Sequence, residues 1–164
     1  MKTNLIPTQN NLPAPTRLEM IELLNQQLAD AIDLGLQAKQ AHWNVKGPHF
    51  VALHELFDKV AEEIEEFIDS IAERAVELGG VALGTAQVVA KSSRLPAYSP
   101  SILTGKEHVT ELSNALATFG ATARAAIDSA AKAGDAGTAD LFTEVSRGVD
   151  KLLWLAEVHV QAKE

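Results

Sequence analysis

Two pairs of long helical patterns flank a connection of about 25 residues, positions 80–104, and that connection decides what this chain can fold into. Before it, apolar residues recur as Leu18, Ile21, Leu24, Leu28, Ile32 and Leu36, the spacing of one helix face. The pattern opens at a capping box, Thr16-x-x-Glu19, and stops at Gly47-Pro48. A second helix is predicted from about Phe50 to Leu78, ending at Gly79-Gly80. Beyond the connection another capping box, Thr104-x-x-Glu107, opens a third helix that runs to about Lys132 and ends at Gly134. A fourth runs from about Thr138 to Gln161. Short turns make the members of each pair antiparallel neighbours. The link between the pairs is too long for a turn and long enough to travel the length of a bundle, with room for a short helix over Thr85–Lys91.

The fold class is therefore all-α: two helical hairpins and one long crossover, the ferritin-like variant of the four-helix bundle. Residues 1–15 are polar and hold three of the six prolines, so they read as an N-terminal tail, and 16–164 as a single bundle domain. With no cysteine, disulfides, thiol catalysis and Cys-ligated metal sites are excluded. No apolar run approaches the roughly 18 residues of a membrane span. The N-terminus has no apolar signal-peptide core, so a cytoplasmic location is the expectation.

Charge is concentrated rather than spread. The whole chain carries 14 Lys+Arg and 22 Asp+Glu, a formal net charge of −8. The second helix alone holds nine acids, from Glu55 to Glu77, against Lys59 and Arg74, a net of −7. A solvated face is the ordinary explanation for such a helix. Its geometry leaves a second reading open, a metal site, beside the plain one in which His54 is an edge histidine hydrogen-bonded to a surface acid. At about 100° per residue from His54, the residues Leu53, Phe57, Val60, Ile64, Ile68, Ile71 and Ala75 form a core face near −80°. Asp58, Asp69 and Glu73 fall between about +40° and +100°, on the outer flank, beside a strip containing Ala61, Ile68 and Ala72. His54 and Asp58 are four residues apart and can touch one metal together, and Asp69 and Glu73 repeat that spacing. An imidazole with carboxylates suits Fe(II) or Zn(II) better than Mg or Ca. The two pairs lie about 16 Å apart along the axis, so one chain cannot close a site with both. If two copies of the helix cross antiparallel near residues 63–64, His54 and Asp58 of one chain meet Asp69 and Glu73 of the other, and the two-fold axis makes the site twice.

His42 adds to this. It ends a small-residue stripe, Leu28, Ala31, Gly35 and Ala38, and the short turn brings it to the height of His54. A satisfied core histidine and a metal ligand both fit that position. No Glu has His three residues on, so the intrachain di-iron centre of bundle cores cannot be built. His49, His108 and His159 have no acidic partners at ligand spacing and read as surface or structural.

His42-Trp43-Asn44-Val45-Lys46-Gly47, His54-Glu55-x-x-Asp58, Asp69-x-x-Ala72-Glu73-Arg74, Leu78-Gly79-Gly80 and Asp150-Lys151-x-x-Trp154-x-x-Glu157 together resemble the Dps-type miniferritins, the DNA-binding proteins from starved cells. The resemblance covers roughly residues 16–160. It implies a homo-dodecameric shell with iron-oxidising centres at the two-fold dimer interface. His42, His54 and Asp58 match the ligands from one chain, Asp69 and Glu73 those from its neighbour, and Trp43 the tryptophan thought to intercept radicals. The implied cofactor and substrate is iron, one or two ions per site, with Zn or another divalent metal able to substitute.

The implied activity is that of a ferroxidase. Fe(II) is oxidised, preferentially by hydrogen peroxide, and ferric mineral is stored, which protects DNA and the cell from oxidative damage. Iron access through acid-lined three-fold pores is implied for Asp140, with Asp135 and Glu144 nearby; an acid at a helix N-terminus favoured by the macrodipole explains Asp135 equally well. The alternative function is compaction of nucleoid DNA, with iron chemistry secondary. It finds thin support, because residues 1–15 contain only Lys2 and the C-terminus only Lys163 beside Glu164.

Overall fold

The computed structural model describes residues 5–162, so Lys2, Lys163 and Glu164 lie outside it. Five helices follow in order: α1 (Ala14–Asn44), α2 (Phe50–Glu77), α3 (Ala86–Ser92), α4 (Gly105–Ala133) and α5 (Ala136–Gln161). No strand occurs among the described residues, only an isolated bridge between Lys46 and Thr104. None of the described helices is long and apolar enough to cross a membrane. α1 packs along α2 and α4 along α5, and the two hairpins close on each other through α1 with α4 and α2 with α5. The core is aliphatic with three large rings, Phe57, Phe119 and Phe142, all fully buried.

The predicted crossover is present and its path is fixed at both ends. Near its start, Gly79 is in the left-handed region (φ 85), where a side chain would strike the Ile6 carbonyl. At its far end the Lys46 amide donates to the Leu103 carbonyl at 3.0 Å, tying the link to the α1–α2 turn. Between these points a polar stripe on α1 holds it. Asn25 takes the Val81 carbonyl and the Leu83 amide. Gln26 donates to the Ser92 carbonyl, and the Arg94 amide and guanidinium both donate to the buried Asp30 carboxylate. Ser93 donates to Asp33, and Gln37 to the Pro96 carbonyl. The crossover thus runs the length of α1, short helix included, which makes α1 and α5 parallel.

The two capping boxes part company. At α4 the box forms: Thr104 Oγ1 accepts from the Glu107 amide and the Glu107 carboxylate accepts from the Thr104 amide. At α1 it does not. The helix begins two residues before Thr16, with Pro13 at the N-cap and Pro15 in the first turn, where a missing N–H removes no intrahelical bond. Thr16 is therefore already helical, and its hydroxyl donates to the Ala133 carbonyl. The residues ahead of α1 also touch the bundle: the Ile6 amide donates to the Gly79 carbonyl at 2.8 Å, and Leu5 and Leu12 pack against the core.

Candidate metal centre

The α1–α2 corner is built by an interrupted hydrogen-bond ladder. α1 ends at Asn44, and the Lys46 amide, which would have bonded the His42 carbonyl, is engaged by Leu103 instead. The freed His42 carbonyl accepts from His54 Nδ1 at 2.9 Å, and the His54 carbonyl accepts from His42 Nδ1 at 2.8 Å. The two rings stack with centroids 3.7 Å apart, and Phe50 covers His54 at 5.0 Å. A carbonyl only accepts, so each Nδ1 is the donor, and Nε2 is left as the ring nitrogen that a metal would take. That is how metal-binding imidazoles are oriented, and the donor set fits a borderline divalent ion.

Asp58 completes the corner, with its carboxylate 3.8 Å from His42 Nδ1 and 2.5 Å from Lys39 Nζ. The Lys39 hydrogen bond holds the Asp58 carboxyl below the usual value against the opposing effect of burial, with smaller help from His42 and His54. Sequence reasoning missed Lys39. Its signal was its place three residues before His42 and four before Trp43, on one side of α1. Lys39 Nζ also lies 5.9 Å over the Trp43 ring, which is 65% exposed.

Asp69 and Glu73 lie elsewhere on α2. Both are exposed, and neither pairs with another described residue. The strip beside them is less open: Ala61 is buried, and Ile68 and Ala72 are half-buried. Among the described residues no group of three or more ligand-type side chains converges on one point. One chain therefore presents two separate half-sets, His42, His54 and Asp58 at one end and Asp69 with Glu73 farther along the same helix.

The three acids assigned to a pore also separate. Asp140 and Glu144 are exposed and one turn apart on α5. Asp135 is buried as the N-cap of α5. Its carboxylate accepts from the Thr138 amide at 3.0 Å, the Thr138 hydroxyl and Arg74 at 2.8 Å. Burial pushes the Asp135 carboxyl up, but the Thr138 hydrogen bonds and the Arg74 charge outweigh it and hold it below the usual value. Asp135 is thus a buried helix cap, set apart from the exposed Asp140 and Glu144. His49 and His159 are exposed, while His108 is buried against Tyr98.

A profile described as a ferritin-like domain matches residues 21–163. The DNA protection during starvation protein of Agrobacterium fabrum is 45% identical over 163 residues, covering 99% of both chains. DpsC from Streptomyces coelicolor superposes with a TM-score of 0.92 at 32% identity, covering 99% of this chain and 94% of that one. Dps from Microbacterium arborescens in its high iron form gives 0.86 at 26% identity, covering 94% and 99%. The chain belongs to the ferritin-like superfamily and, within it, to the Dps-type miniferritins.

Proposed function

We propose that this chain is a ferroxidase subunit of an iron-storing shell, with each oxidation site assembled from two neighbours. The observation that carries the reading is the division of donors along α2: His54 and Asp58 at one end, with His42 of α1 beside them, and unpaired Asp69 and Glu73 about 16 Å along the axis. A two-fold crossing near residues 63–64, over the small side chains of Ala61 and Ala72, superimposes one half-set on the other. Fe(II) is the substrate. His42 and His54 supply neutral nitrogen donors that accept Fe(II), and Asp58, Asp69 and Glu73 supply anionic oxygens that favour the harder Fe(III). Each site takes one or two ions, and Zn or another divalent metal substitutes.

Hydrogen peroxide is the preferred oxidant in this reading. Two Fe(II) ions give it two electrons and it leaves as water, so no one-electron oxidant is released. A divalent ion arriving at Asp58 displaces Lys39, which turns toward Trp43 on the outer flank. Twelve subunits enclose the ferric product, and the acids of Asp140 and Glu144 draw cations toward the openings. The setting is the cytoplasm, and protection of DNA follows from removing iron and peroxide together. At −8 per chain the shell repels duplex DNA, so retention of linear DNA in a low-salt gel shift without metal would favour nucleoid compaction instead.

The test is particle mass together with peroxide-driven iron loading, in the wild type, Asp58→Ala and Glu73→Ala. The expected result is a dodecamer in all three and oxidation slowed about tenfold or more in each variant. Unchanged rates in both variants refute the site, and a monomer without iron uptake refutes the shell.

A further inference from the structure

Behind the histidine corner, on its core side, lies a second pair of rings. Tyr98, in the crossover, places its hydroxyl 2.6 Å from His108 Nδ1 on α4, and the two rings stack at 6.0 Å and 21°. Tyr98 is half-buried and His108 is buried. His108 Nε2 is buried without a hydrogen bond of normal geometry. The Asn44 carbonyl and Glu107 favour a proton on the ring, while burial, the larger influence, and Lys46 oppose it. The resting imidazole is therefore neutral. With Nε2 carrying the hydrogen toward Asn44, the Nδ1 lone pair accepts from the phenol. His108 also lies 6.4 Å from the Phe57 ring, and Phe57 is one turn from His54 on α2, about 5–6 Å between β-carbons. A chain of rings thus runs from His54 through Phe57 and His108 to Tyr98.

We propose that Tyr98 and His108 form a redox relay that takes up oxidising equivalents escaping the iron site. This rests on the ferroxidase reading for its oxidant. When peroxide meets a single Fe(II), one electron breaks the O–O bond, hydroxide leaves and takes a solvent proton to become the first water, and a hydroxyl-level oxidant remains. Tyr98 supplies the missing electron, and its phenolic proton moves to His108 Nδ1 in the same event. The oxidant gains that electron and a solvent proton and becomes water. A later Fe(II) reduces the phenoxyl radical while His108 returns the proton, so the sum is two Fe(II) oxidised and one peroxide reduced to two waters. The phenol is a poor electron donor without a base to take its proton, and His108 is already in hydrogen-bonding contact. His108 is a positioning residue here and Tyr98 the electron donor. Trp43 is exposed and is not a member of this chain of rings.

The chain has one tyrosine, so a tyrosyl radical has one possible address. In freeze-quenched samples given limiting Fe(II) and peroxide, electron paramagnetic resonance is expected to show a radical whose hyperfine pattern collapses with ring-deuterated tyrosine and is lost in Tyr98→Phe. A second arm uses iron-free protein in a Trp43→Phe/Trp154→Phe background and photogenerated tris(bipyridine)ruthenium(III). Tyr98 oxidation there is expected to show a solvent deuterium isotope effect and to slow about a hundredfold in His108→Gln, which keeps a hydrogen-bond acceptor but not a base. A radical unmoved by tyrosine labelling overturns the proposal, as does the lack of an isotope effect in the His108-containing protein. Equal rates with and without His108, in a variant whose helical circular dichroism is intact, overturn it as well. Failure of Fe(II) oxidation in the first arm overturns the ferroxidase reading instead and leaves the second arm decisive for the relay.

Discussion

Lys39 and Asp58 share one carboxylate between two tasks. The ammonium holds Asp58 below its usual titration range, so the carboxylate stays charged as pH falls and is lost only below the ordinary aspartate value. The same ammonium competes with any arriving cation. Lys39→Gln is expected to tighten Zn(II) binding about two- to fivefold by titration calorimetry. It should also raise the Asp58 carboxyl titration seen by carbon NMR. Weaker Zn(II) binding would mean that Lys39 supports the site rather than competing for it. The histidines and acids were legible from spacing because the helical repeat alone sets which faces they share. Lys39 was not, since its meaning depends on Asp58 of α2 coming within hydrogen-bonding distance of its ammonium.

Helix ends and the crossover set the accuracy of the elements. Thr16 and Thr104 open the same motif, and only Thr104 caps, because prolines at 13 and 15 let α1 begin earlier. The crossover's length was legible, but its fastening was not. Gln26, Asp30, Asp33 and Gln37 take their roles only from the segment that lies over them, and that segment has no periodicity to announce where it runs. Arg94→Ala takes two side-chain hydrogen bonds from a fully buried carboxylate and is expected to destabilise the fold by about 2 kcal/mol in urea titrations. At the other corner the depressed Asp135 makes an acid-sensitive cap. Its contribution is complete above the ordinary aspartate value near 3.8 and is lost as pH falls through the lower folded value. Asp135→Asn is expected to lower Tm at pH 7 and to flatten its fall in that acid window, followed by circular dichroism. An identical acid profile in the variant would assign the loss to other groups.

At the scale of the whole molecule, charge and assembly belong together. α2 carries nearly all of the negative surplus on a face that the bundle leaves outside, and the proposed two-fold covers part of it while metal neutralises more. Asp140 and Glu144 remain exposed near the start of α5. Replacing them together with Asn and Gln is expected to slow iron uptake several-fold at low salt, less so as salt screens the field, with Zn(II) affinity at the histidine corner unchanged. An effect indifferent to salt would remove them from the route. The separation of the two half-sets within one chain was legible because a single helix cannot bring its own ends together. The buried role of Asp135 was not, since it needed Arg74 from another helix.

The reciprocal bonding of His42 and His54 has one more consequence. Each ring is anchored by the other residue's main chain, and a side-chain substitution leaves that carbonyl in place. Replacing either histidine with alanine therefore removes one nitrogen donor and the stacking while the survivor keeps its anchor, so the double replacement should weaken Zn(II) binding well beyond either single one in titration calorimetry. Such a corner can be dismantled, or acquired, one ring at a time.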